Sequence, residues 1–438
     1  MTKKDFLTSF FLTLDSEDID YFVYGEYRSL PKDTGESDID IIVSDRDKVR
    51  VEDIMKTIIV NCELDLVSFY ANTNAKFYRY LSSCGWGVQI DVLEGGLFYR
   101  GIAYYPYIDL SRFVTIYNGI KVLDINKGFY IDYIKEIIHN GRAKEKYRNV
   151  FLEQLRNNND ECKSEIEQRY SEDAWNLIKV NDSIDGLNHI GKELQKIIKK
   201  KLFKGNILKL IKSQIFVARR LFQKRPGYVI CILGTDGSGK STIIDAITLI
   251  LNEGFHNGVV YNHLRPNLIP DLGILLGKKE KQEVEVVNSD PHSLMPSGFL
   301  GSIIRWGYYM IDYTVGYFKN VWSVIHTKSK VFIFDRYYYD YYIDQLRTRT
   351  SLPQWILKIG ELFVPQPDLI LCLGGDSEKI YKRKPETSLE EVDRQNKVLK
   401  RFCDNRKDAV WIDTTTTKEE SINASYLAIL DMMKKRFN

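Results

Sequence analysis

The stretch YVICILGTDGSGKSTIIDAITLIL, from Tyr228 to Leu251, decides the fold of the C-terminal half. It begins as a continuous apolar run, turns through glycines and continues with apolar residues at helical spacing. The turn, Gly234–Ser241, has the pattern G-x-x-x-x-G-K-S, in which backbone N–H groups cradle phosphates, the lysine reaches the β- and γ-phosphates and the serine hydroxyl ligates Mg²⁺. The sequence therefore predicts a nucleoside triphosphate site between a buried strand and a helix N-terminus.

ATP with Mg²⁺ is the predicted cofactor. No N-K-x-D segment, the guanine-reading signature of GTPases, follows the glycine-rich turn. Ser241 is predicted to ligate the metal. The residues predicted to bind the nucleotide belong to the turn and the start of the next helix: Gly234, Thr235, Gly237, Ser238, Gly239, Lys240, Ser241 and Thr242.

Further apolar runs follow, VFIF, LILCL and VWI, and they alternate with helical segments to the end of the chain. Continuous apolar runs are typical of parallel strands covered on both faces, so residues 226–438 are predicted to form an α/β domain with a parallel sheet flanked by helices. The run VFIF ends at Asp335-Arg336. The carboxylate could hold Mg²⁺ through water, and the adjacent guanidinium could bind the acceptor phosphate. The alternative for Arg336 is a structural cation that neutralises Asp335, and Tyr337 to Tyr339 are expected to be core. The candidate catalytic residues are Lys240, Asp236, Asp335, Arg336 and Arg383.

In order and spacing, G-T-D-G-S-G-K-S-T, D-R-Y, P-D-L-I-L-C-L, R-K-P-E and V-W-I-D-T resemble the thymidylate kinase family of P-loop kinases. The resemblance implies that Asp236 faces the phosphoryl acceptor, that Asp335 is a metal residue, that Arg383 is a lid cation, and that the turn 414–417 lies near the adenine. The family's F-x-R-E-P-G-G-type segment is altered here, keeping only Arg265-Pro266. The predicted acceptor therefore stays open between a nucleoside monophosphate such as dTMP and a sugar hydroxyl on a cell-envelope glycan precursor. A protein whose ATP occupancy switches partner binding, without any acceptor, is a third hypothesis.

Residues 1–125 carry short β-rich runs, and two of these runs contain acidic residues. Asp38 and Asp40 are two apart and share one strand face, and Asp91 lies on a later run. If the strands are neighbours, the three carboxylates could hold Mg²⁺ for attack on a nucleotide. The pattern resembles a minimal nucleotidyltransferase of the DNA polymerase β superfamily in an α+β domain, although Glu26 replaces the serine expected beside Gly25. Solvated carboxylates on a strand edge are the alternative.

Residues 126–225 carry helical spacing and are predicted to form a connector. Within it, residues 192–225 hold 12 Lys or Arg against the single acid Glu193. The pattern predicts a basic amphipathic helix, either packed by its apolar side on a neighbouring domain or bound to an anionic membrane surface.

The composition favours a folded chain: 438 residues with a net charge of +3, which argues against a generally polyanion-binding surface, so no nucleic acid is expected. Six cysteines without a C-x-x-C pair, and six histidines without ligand spacing, favour a reduced, cytoplasmic protein without a Cys/His metal site. The chain could be peripheral to the inner face of a membrane. The aromatic insertion, 298–345, has no assigned role, and its first part is predicted to be a buried helix pair.

Overall fold

A computed structural model describes residues 1–35, 37–124, 126–270, 272 and 298–437. Two compact units are formed by the chain. The first comprises Met1–Glu63, Tyr70–Tyr78 and Val88–Phe222, and the second Leu64–Phe69, Arg79–Gly87 and Gln223–Asn438. The predicted boundaries after residues 125 and 225 stay a prediction. The predicted fold class, a P-loop parallel sheet with a mixed α/β region before it, is confirmed.

The N-terminal region contains a mixed seven-stranded sheet in the order β3-β4-β5-β2-β1-β9-β8. Strand β2 pairs antiparallel with β1 and parallel with β5, which makes two parts of the chain separated by about fifty residues neighbours in the middle of the sheet. A separate antiparallel pair joins β6 to β7. The strands are β1 (Tyr21–Tyr24), β2 (Ile39–Val43), β3 (Leu64–Asn72), β4 (Ala75–Ser82), β5 (Gly87–Glu94), β6 (Gly96–Tyr99), β7 (Ile102–Pro106), β8 (Val114–Tyr117) and β9 (Ile120–Leu123).

Helices occupy the rest of the first unit. The helical nature of 126–225 is confirmed, and the apolar sides of α4, α5, α7 and α8 form one core with β6 and β7. The helices are α1 (Lys3–Ser16), α2 (Lys48–Cys62), α3 (Tyr107–Leu110), a 3₁₀ turn (Ser111–Phe113), α4 (Phe129–Asn140), α5 (Glu145–Asn157), α6 (Asn159–Arg169), α7 (Glu172–Val180), α8 (Ile184–Phe203) and α9 (Ile207–Arg220).

The second unit is built on a five-stranded sheet in the order β11-β12-β10-β13-β14. Every pairing in it is parallel, so all carboxyl ends meet at one edge. The central strands are buried along their whole length because helices cover both faces. The strands are β10 (Tyr228–Gly234), β11 (Val259–His263), β12 (Val331–Asp335), β13 (Leu369–Gly374) and β14 (Ala409–Asp413).

The helices of this unit include α10, which starts at the phosphate loop, and several short segments after β12. They are α10 (Lys240–Phe255), α11 (Phe299–Ile311), α12 (Ser323–Thr327), α13 (Asp340–Ile343), α14 (Gln345–Thr348), α15 (Gln354–Glu361), α16 (Ser377–Arg383), α17 (Leu389–Asp404) and α18 (Lys418–Phe437).

The aromatic segment is one continuous helical run, so the predicted helix pair is wrong. Two π-helical stretches, Asp312–Gly316 and Phe318–Trp322, join α11 to α12. The buried Asp312 side chain lies where the first stretch begins and accepts hydrogen bonds from Arg265 (2.7 Å) and the Leu268 backbone (2.7 Å). One side of the run is buried, and the other exposes large apolar side chains such as Ile304 and Phe318.

The first part of β3, Leu64–Phe69, and the last part of β4, from Arg79 onward, belong to the second unit. Leu81 is fully buried in its core and lies against α10, where a Cβ on Gly254 would come within 2.8 Å of Leu81 Cδ2. Glycine at position 254 therefore permits this close approach. Ser68 Oγ donates to the Pro226 carbonyl (2.7 Å), and Tyr426 OH donates to the Ser82 carbonyl (2.5 Å).

Candidate functional site

The phosphate loop lies between β10 and α10, as the sequence predicts. Gly237 and Gly239 have positive φ values, 81° and 84°. These conformations, which glycine adopts without strain, turn the backbone sharply just before α10 begins. Gly234 must also be glycine, because a Cβ there would lie 2.4 Å from Ser238 Oγ and 2.9 Å from the Leu373 carbonyl oxygen. The N-terminus of a 16-residue helix therefore opens behind a glycine-rich concavity, an arrangement that favours anions.

Lys240 is the first residue of α10, and its ammonium group lies inside the loop. Its Nζ donates to the carbonyls of Gly234 (3.0 Å) and Thr235 (2.8 Å). Burial, helped by the nearby charge of Arg336, lowers the pKa of Lys240 to about 7. A phosphate group at this position would restore the charged form, because an anion lowers the free energy of the ammonium state.

Asp236 joins two arginines from the segment that follows β12. Its Oδ1 accepts from Arg336 Nη2 (2.7 Å), and its Oδ2 accepts from Arg347 Nη2. Lys240 Nζ lies 3.9 Å from Asp236 Oδ1. Burial alone would raise the pKa of Asp236, but Arg336, Lys240 and Arg347 outweigh it and lower the pKa. Asp236 is therefore an ionised carboxylate that orients cations beside the loop.

Arg336 follows β12 in the left-handed region, with φ 69°. A non-glycine residue in this region is strained, and such strain often marks a functional position. The Arg336 guanidinium is buried and pairs with Asp236 and, at 3.3 Å, with the buried Asp340. The structure thus shows ion pairs with these two residues rather than the pair with Asp335 that the structural alternative expected. The neighbouring Tyr337 to Tyr339 are core residues, as expected.

Asp335 ends β12 beside the last residues of β11. Its Oδ2 accepts from Tyr261 OH (3.2 Å) and lies 3.4 Å from His263 Nδ1. Burial would raise the pKa of Asp335, but the His263 hydrogen bond and the charges of Lys240 and Arg336 lower it to about 2. This carboxylate is therefore charged at neutral pH, as a metal ligand must be.

Three buried oxygens around the loop make no hydrogen bond within the described residues: Thr235 Oγ1, Ser238 Oγ and Asp335 Oδ1. Buried polar atoms in proteins are nearly always paired, so three orphans in one place indicate groups that pair with a ligand. Oxygen donors and an ionised carboxylate are what Mg²⁺ prefers. The residues present therefore fit a nucleoside triphosphate with Mg²⁺, and Asp335 and the exposed Ser241 would be the residues nearest the metal.

The remaining predicted residues lie at the same sheet edge. Arg383 is exposed at the end of α16, whereas the next residue, Lys384, lies against the loop: a Cβ on Gly237 would be 3.2 Å from Lys384 Cβ. Thr242 is exposed in the first turn of α10. The turn 414–417 is fixed to the end of β13, because the Thr414 N–H donates to the Gly374 carbonyl (2.8 Å).

The carboxylates of Asp38, Asp40 and Asp91 come together in the first unit. Strands β2 and β5 are parallel neighbours with Asp40 opposite Asp91, and one carboxylate oxygen from each of the three residues lies within 4.8 Å of the others. Gln89 Nε2 donates to Asp38 (3.0 Å) and to Asp91 (3.1 Å). The geometry thus meets the condition that the sequence left open, namely neighbouring strands.

The environment of Asp40 favours a site for cations. Burial raises the pKa of Asp40 to about 7, and Asp38 and Asp132 contribute, although Lys135 opposes them. The turn after β1 reaches the same place, since a Cβ on Gly25, which has φ 89°, would lie 3.8 Å from Asp40 Oδ2. A divalent cation would relieve the repulsion among these carboxylates.

Comparison with known proteins supports the P-loop assignment. Residues 207–262 match a family model described as the P-loop containing region of AAA domain, which covers the loop, β10 and α10. No curated protein matches the chain. A crystal structure of thymidylate kinase from Ehrlichia chaffeensis matches with 17% identity and a TM-score of 0.30, covering 47% of this chain and 100% of that one. The second unit is a P-loop domain, and such domains bind nucleotides.

Arg347 is the functional candidate that sequence reasoning missed. It lies 111 residues after its partner Asp236 and belongs to no motif. Its position follows from the short helices α13 and α14, which fold back over the carboxyl end of the sheet. The nearby sequence D-Q-L-R-T-R-T is rich in cations and follows a strand end, but that signal is weak.

Proposed function

We propose that the second unit transfers the γ-phosphoryl group of ATP to a phosphorylated acceptor such as a nucleoside monophosphate. The observation that carries this proposal is the pair of guanidinium groups, from Arg336 and Arg347, held on Asp236 beside the loop lysine. Two planar cations in a fixed arrangement suit a phosphomonoester, whereas a neutral sugar hydroxyl needs neither.

The roles of the residues follow from the geometry. Backbone N–H groups of the loop and the Lys240 ammonium would bind the ATP phosphates. Mg²⁺, held on the side of Ser241 and Asp335, would neutralise charge on the β- and γ-phosphates. Arg336 and Arg347 would hold the acceptor phosphate in line with the γ-phosphorus, so that one P–O bond to ADP breaks as another forms to the acceptor oxygen.

A direct assay tests the proposal. The purified protein is incubated with ATP, Mg²⁺ and each common nucleoside monophosphate, including dTMP, and diphosphate products are separated by chromatography. We expect a diphosphate from at least one acceptor, and none from Lys240→Ala. Asp38→Asn serves as the matched control, since it alters a charged site in the other unit. If ATP binds but no monophosphate yields a diphosphate, the proposal is wrong, and a glycan hydroxyl or an ATP-switched partner takes its place.

A second candidate function is nucleotidyl transfer in the first unit. It is favoured by the convergence of Asp38, Asp40 and Asp91 within 4.8 Å on adjacent strands. These carboxylates would hold Mg²⁺, which would neutralise charge on the nucleotide phosphates. A hydroxyl would attack the α-phosphate, its proton would pass to one of the carboxylates, and the bond to pyrophosphate would break as the new P–O bond forms. Transfer of label from α-³²P nucleotides to protein, sugar or RNA ends would test it. Loss of transfer in Asp40→Asn with retention in Lys240→Ala would support it, and equal transfer by both would refute it.

A further inference from the structure

Helix α9 presents its apolar side to solvent, the reverse of an ordinary amphipathic helix. Large apolar side chains along one face are exposed: Ile207 by 66%, Ile211 by 50%, Ile215 by 49% and, just past the helix end, Phe222 by 91%. At 100° per residue these four positions fall within about 80° of arc, so they form one continuous stripe. Isolated exposed apolar residues are common, but a continuous stripe marks an interaction surface.

The opposite side of α9 is attached to the first unit by small and polar groups. Ser213 is 5% exposed and lies at Gly101, where a Cβ would be 3.7 Å from Ser213 Cβ. Arg220 is 7% exposed, donates to Asn72 Oδ1 (3.0 Å) and stacks at 4.4 Å over the Tyr70 ring. These contacts fix the rotation of the helix, so the outward position of the stripe is set by the fold.

The structure also separates α8 from α9 within the basic segment. Helix α8 buries Leu194 and Ile198 in the main core of the unit and leaves its lysines at the surface. Gly205, with φ 77°, turns the chain before α9. The apolar face of the predicted basic helix lies on α9 and is exposed in the structure, so the alternative in which this face packs on a neighbouring domain is not found among the described residues.

The charged residues of α9 are all positive. Helix α9 contains no acidic residue, and the exposed Lys212 and Arg219 border the stripe. Lys204 precedes the helix and Lys224 follows it, both exposed. A second copy of the same surface would bring like charges together, whereas an anionic lipid surface satisfies both the stripe and the cations.

We propose that α9 is a docking helix for anionic lipid membranes, lying in the interface with Ile207, Ile211, Ile215 and Phe222 inserted between headgroups. With 14 residues, α9 is shorter than the roughly 20 that a spanning helix needs, which suits an orientation in the membrane plane. This proposal is independent of the proposed function, because it uses no residue of either candidate active site.

Vesicle sedimentation of the full chain tests the proposal. We expect binding to phosphatidylcholine–phosphatidylserine vesicles and little binding to phosphatidylcholine alone. Ile211→Asp with Ile215→Asp should lower the bound-to-free ratio at least about tenfold, because it places charge in the inserted stripe. The control, Leu12→Asp with Val180→Asp, changes two exposed apolar residues on other helices, 64% and 81% exposed, and should bind as the wild type does.

A variant with reversed charges on α9 provides a second, independent test of membrane binding. Lys212→Glu with Arg219→Glu changes only exposed side chains, and it should weaken binding to the anionic vesicles while far-UV circular dichroism stays unchanged. Lys127→Glu with Lys163→Glu, equal in charge and exposed elsewhere on the first unit, should have a smaller effect. Hydrogen exchange should slow in residues 207–222 when anionic vesicles are added.

Several outcomes would overturn the proposal. These are no sedimentation with anionic vesicles, equal sedimentation with neutral ones, or equal losses in the α9 variants and their controls. A dimer in light scattering that Ile211→Asp with Ile215→Asp dissociates would instead make the stripe an interface between copies. Displacement of the vesicles by RNA, with RNA binding lost in the charge variant, would assign the cations to nucleic acid.

Discussion

At the scale of single residues, the site is an arrangement of charges that a bound phosphate would rebalance. Asp236 holds Arg336 and Arg347, while Lys240 is buried with only backbone carbonyls as hydrogen-bond partners in the described structure. An anion entering the loop would pair with Lys240 and could draw the arginines toward itself. Phosphate binding should therefore change the ionisation of Lys240, and acceptor binding should depend on the two arginines. Both effects can be measured.

The first prediction concerns protons. Because the pKa of Lys240 is lowered to about 7, its amine is mostly neutral at pH 8, and bound phosphate would raise that pKa and take up a proton. We expect ATP binding at pH 8 to take up protons, at most about one per site, because the neutral amine becomes charged when phosphate binds. Isothermal titration in buffers of different ionisation enthalpy measures this uptake.

Proton uptake should be much smaller at pH 6, where Lys240 is already mostly charged before the nucleotide binds. Lys240→Arg, with a cation that does not titrate in this range, is the control and should show no uptake at pH 8. Binding to the wild type without proton exchange at pH 8 would contradict the assignment of Lys240 as the phosphate ligand.

The second prediction concerns Arg347. Arg347→Ala should raise the KM for the phosphorylated acceptor by about 10- to 100-fold, the value of one charge-assisted hydrogen bond, and leave the KM for ATP nearly unchanged. Arg347→Lys should recover part of the loss. Arg349→Ala removes a nearby guanidinium and is the control. If Arg347→Ala raised the KM for ATP as much as the KM for the acceptor, Arg347 would not be a residue of the acceptor site.

At the scale of helices and strands, some elements could be predicted from the local sequence, whereas others depend on packing between distant parts of the chain. The strand, loop and helix from Tyr228 to Phe255 could be predicted because their signals lie within one short stretch of sequence. The pairing of β2 with β5 could be stated only as a condition, since nothing local records which strands become neighbours.

Helix α9 shows what the sequence pattern leaves open. Its apolar spacing fits either a helix packed by its apolar side or one bound to a membrane surface, and contacts of Arg220 with Tyr70 and Asn72, far away in the sequence, hold that side outward. The π-helical run after α11 could not be predicted either, because it depends on Asp312 meeting Arg265 from another segment.

The third prediction tests whether the end of β4 belongs to the P-loop core. Leu81→Ala removes a fully buried side chain that lies against α10, and should cost about 2–5 kcal/mol of unfolding free energy. The loss should appear in the second unit, with faster hydrogen exchange in β10 and β13. Leu249→Ala, at a 72% exposed position of α10, should change stability by less than about 0.5 kcal/mol.

If Leu81→Ala instead accelerated exchange only in the strands of the first unit, β1, β2 and β9, the assignment of Arg79–Gly87 to the second unit would be wrong.

At the scale of the whole molecule, the chain carries two candidate nucleotide-handling sites on separate sheets, one built on carboxylates and one on a phosphate loop. No helix among the described residues is long and apolar enough to cross a membrane. The two candidate sites would bind phosphates by different means. The carboxylates require metal ions between themselves and the phosphates, whereas the loop binds phosphates through N–H groups and cations.

The measurement that most directly tests the central claim is the affinity of the full chain for ATP with Mg²⁺, determined by isothermal titration. Lys240→Ala and Asp38→Asn are titrated alongside the wild type. We expect a saturable site in the second unit that weakens at least about tenfold in Lys240→Ala, as loss of a buried charge-assisted contact implies, and that is unaltered in Asp38→Asn, whatever the first unit binds. Wild-type affinity in Lys240→Ala, or no saturable binding by the wild type at all, would contradict the account.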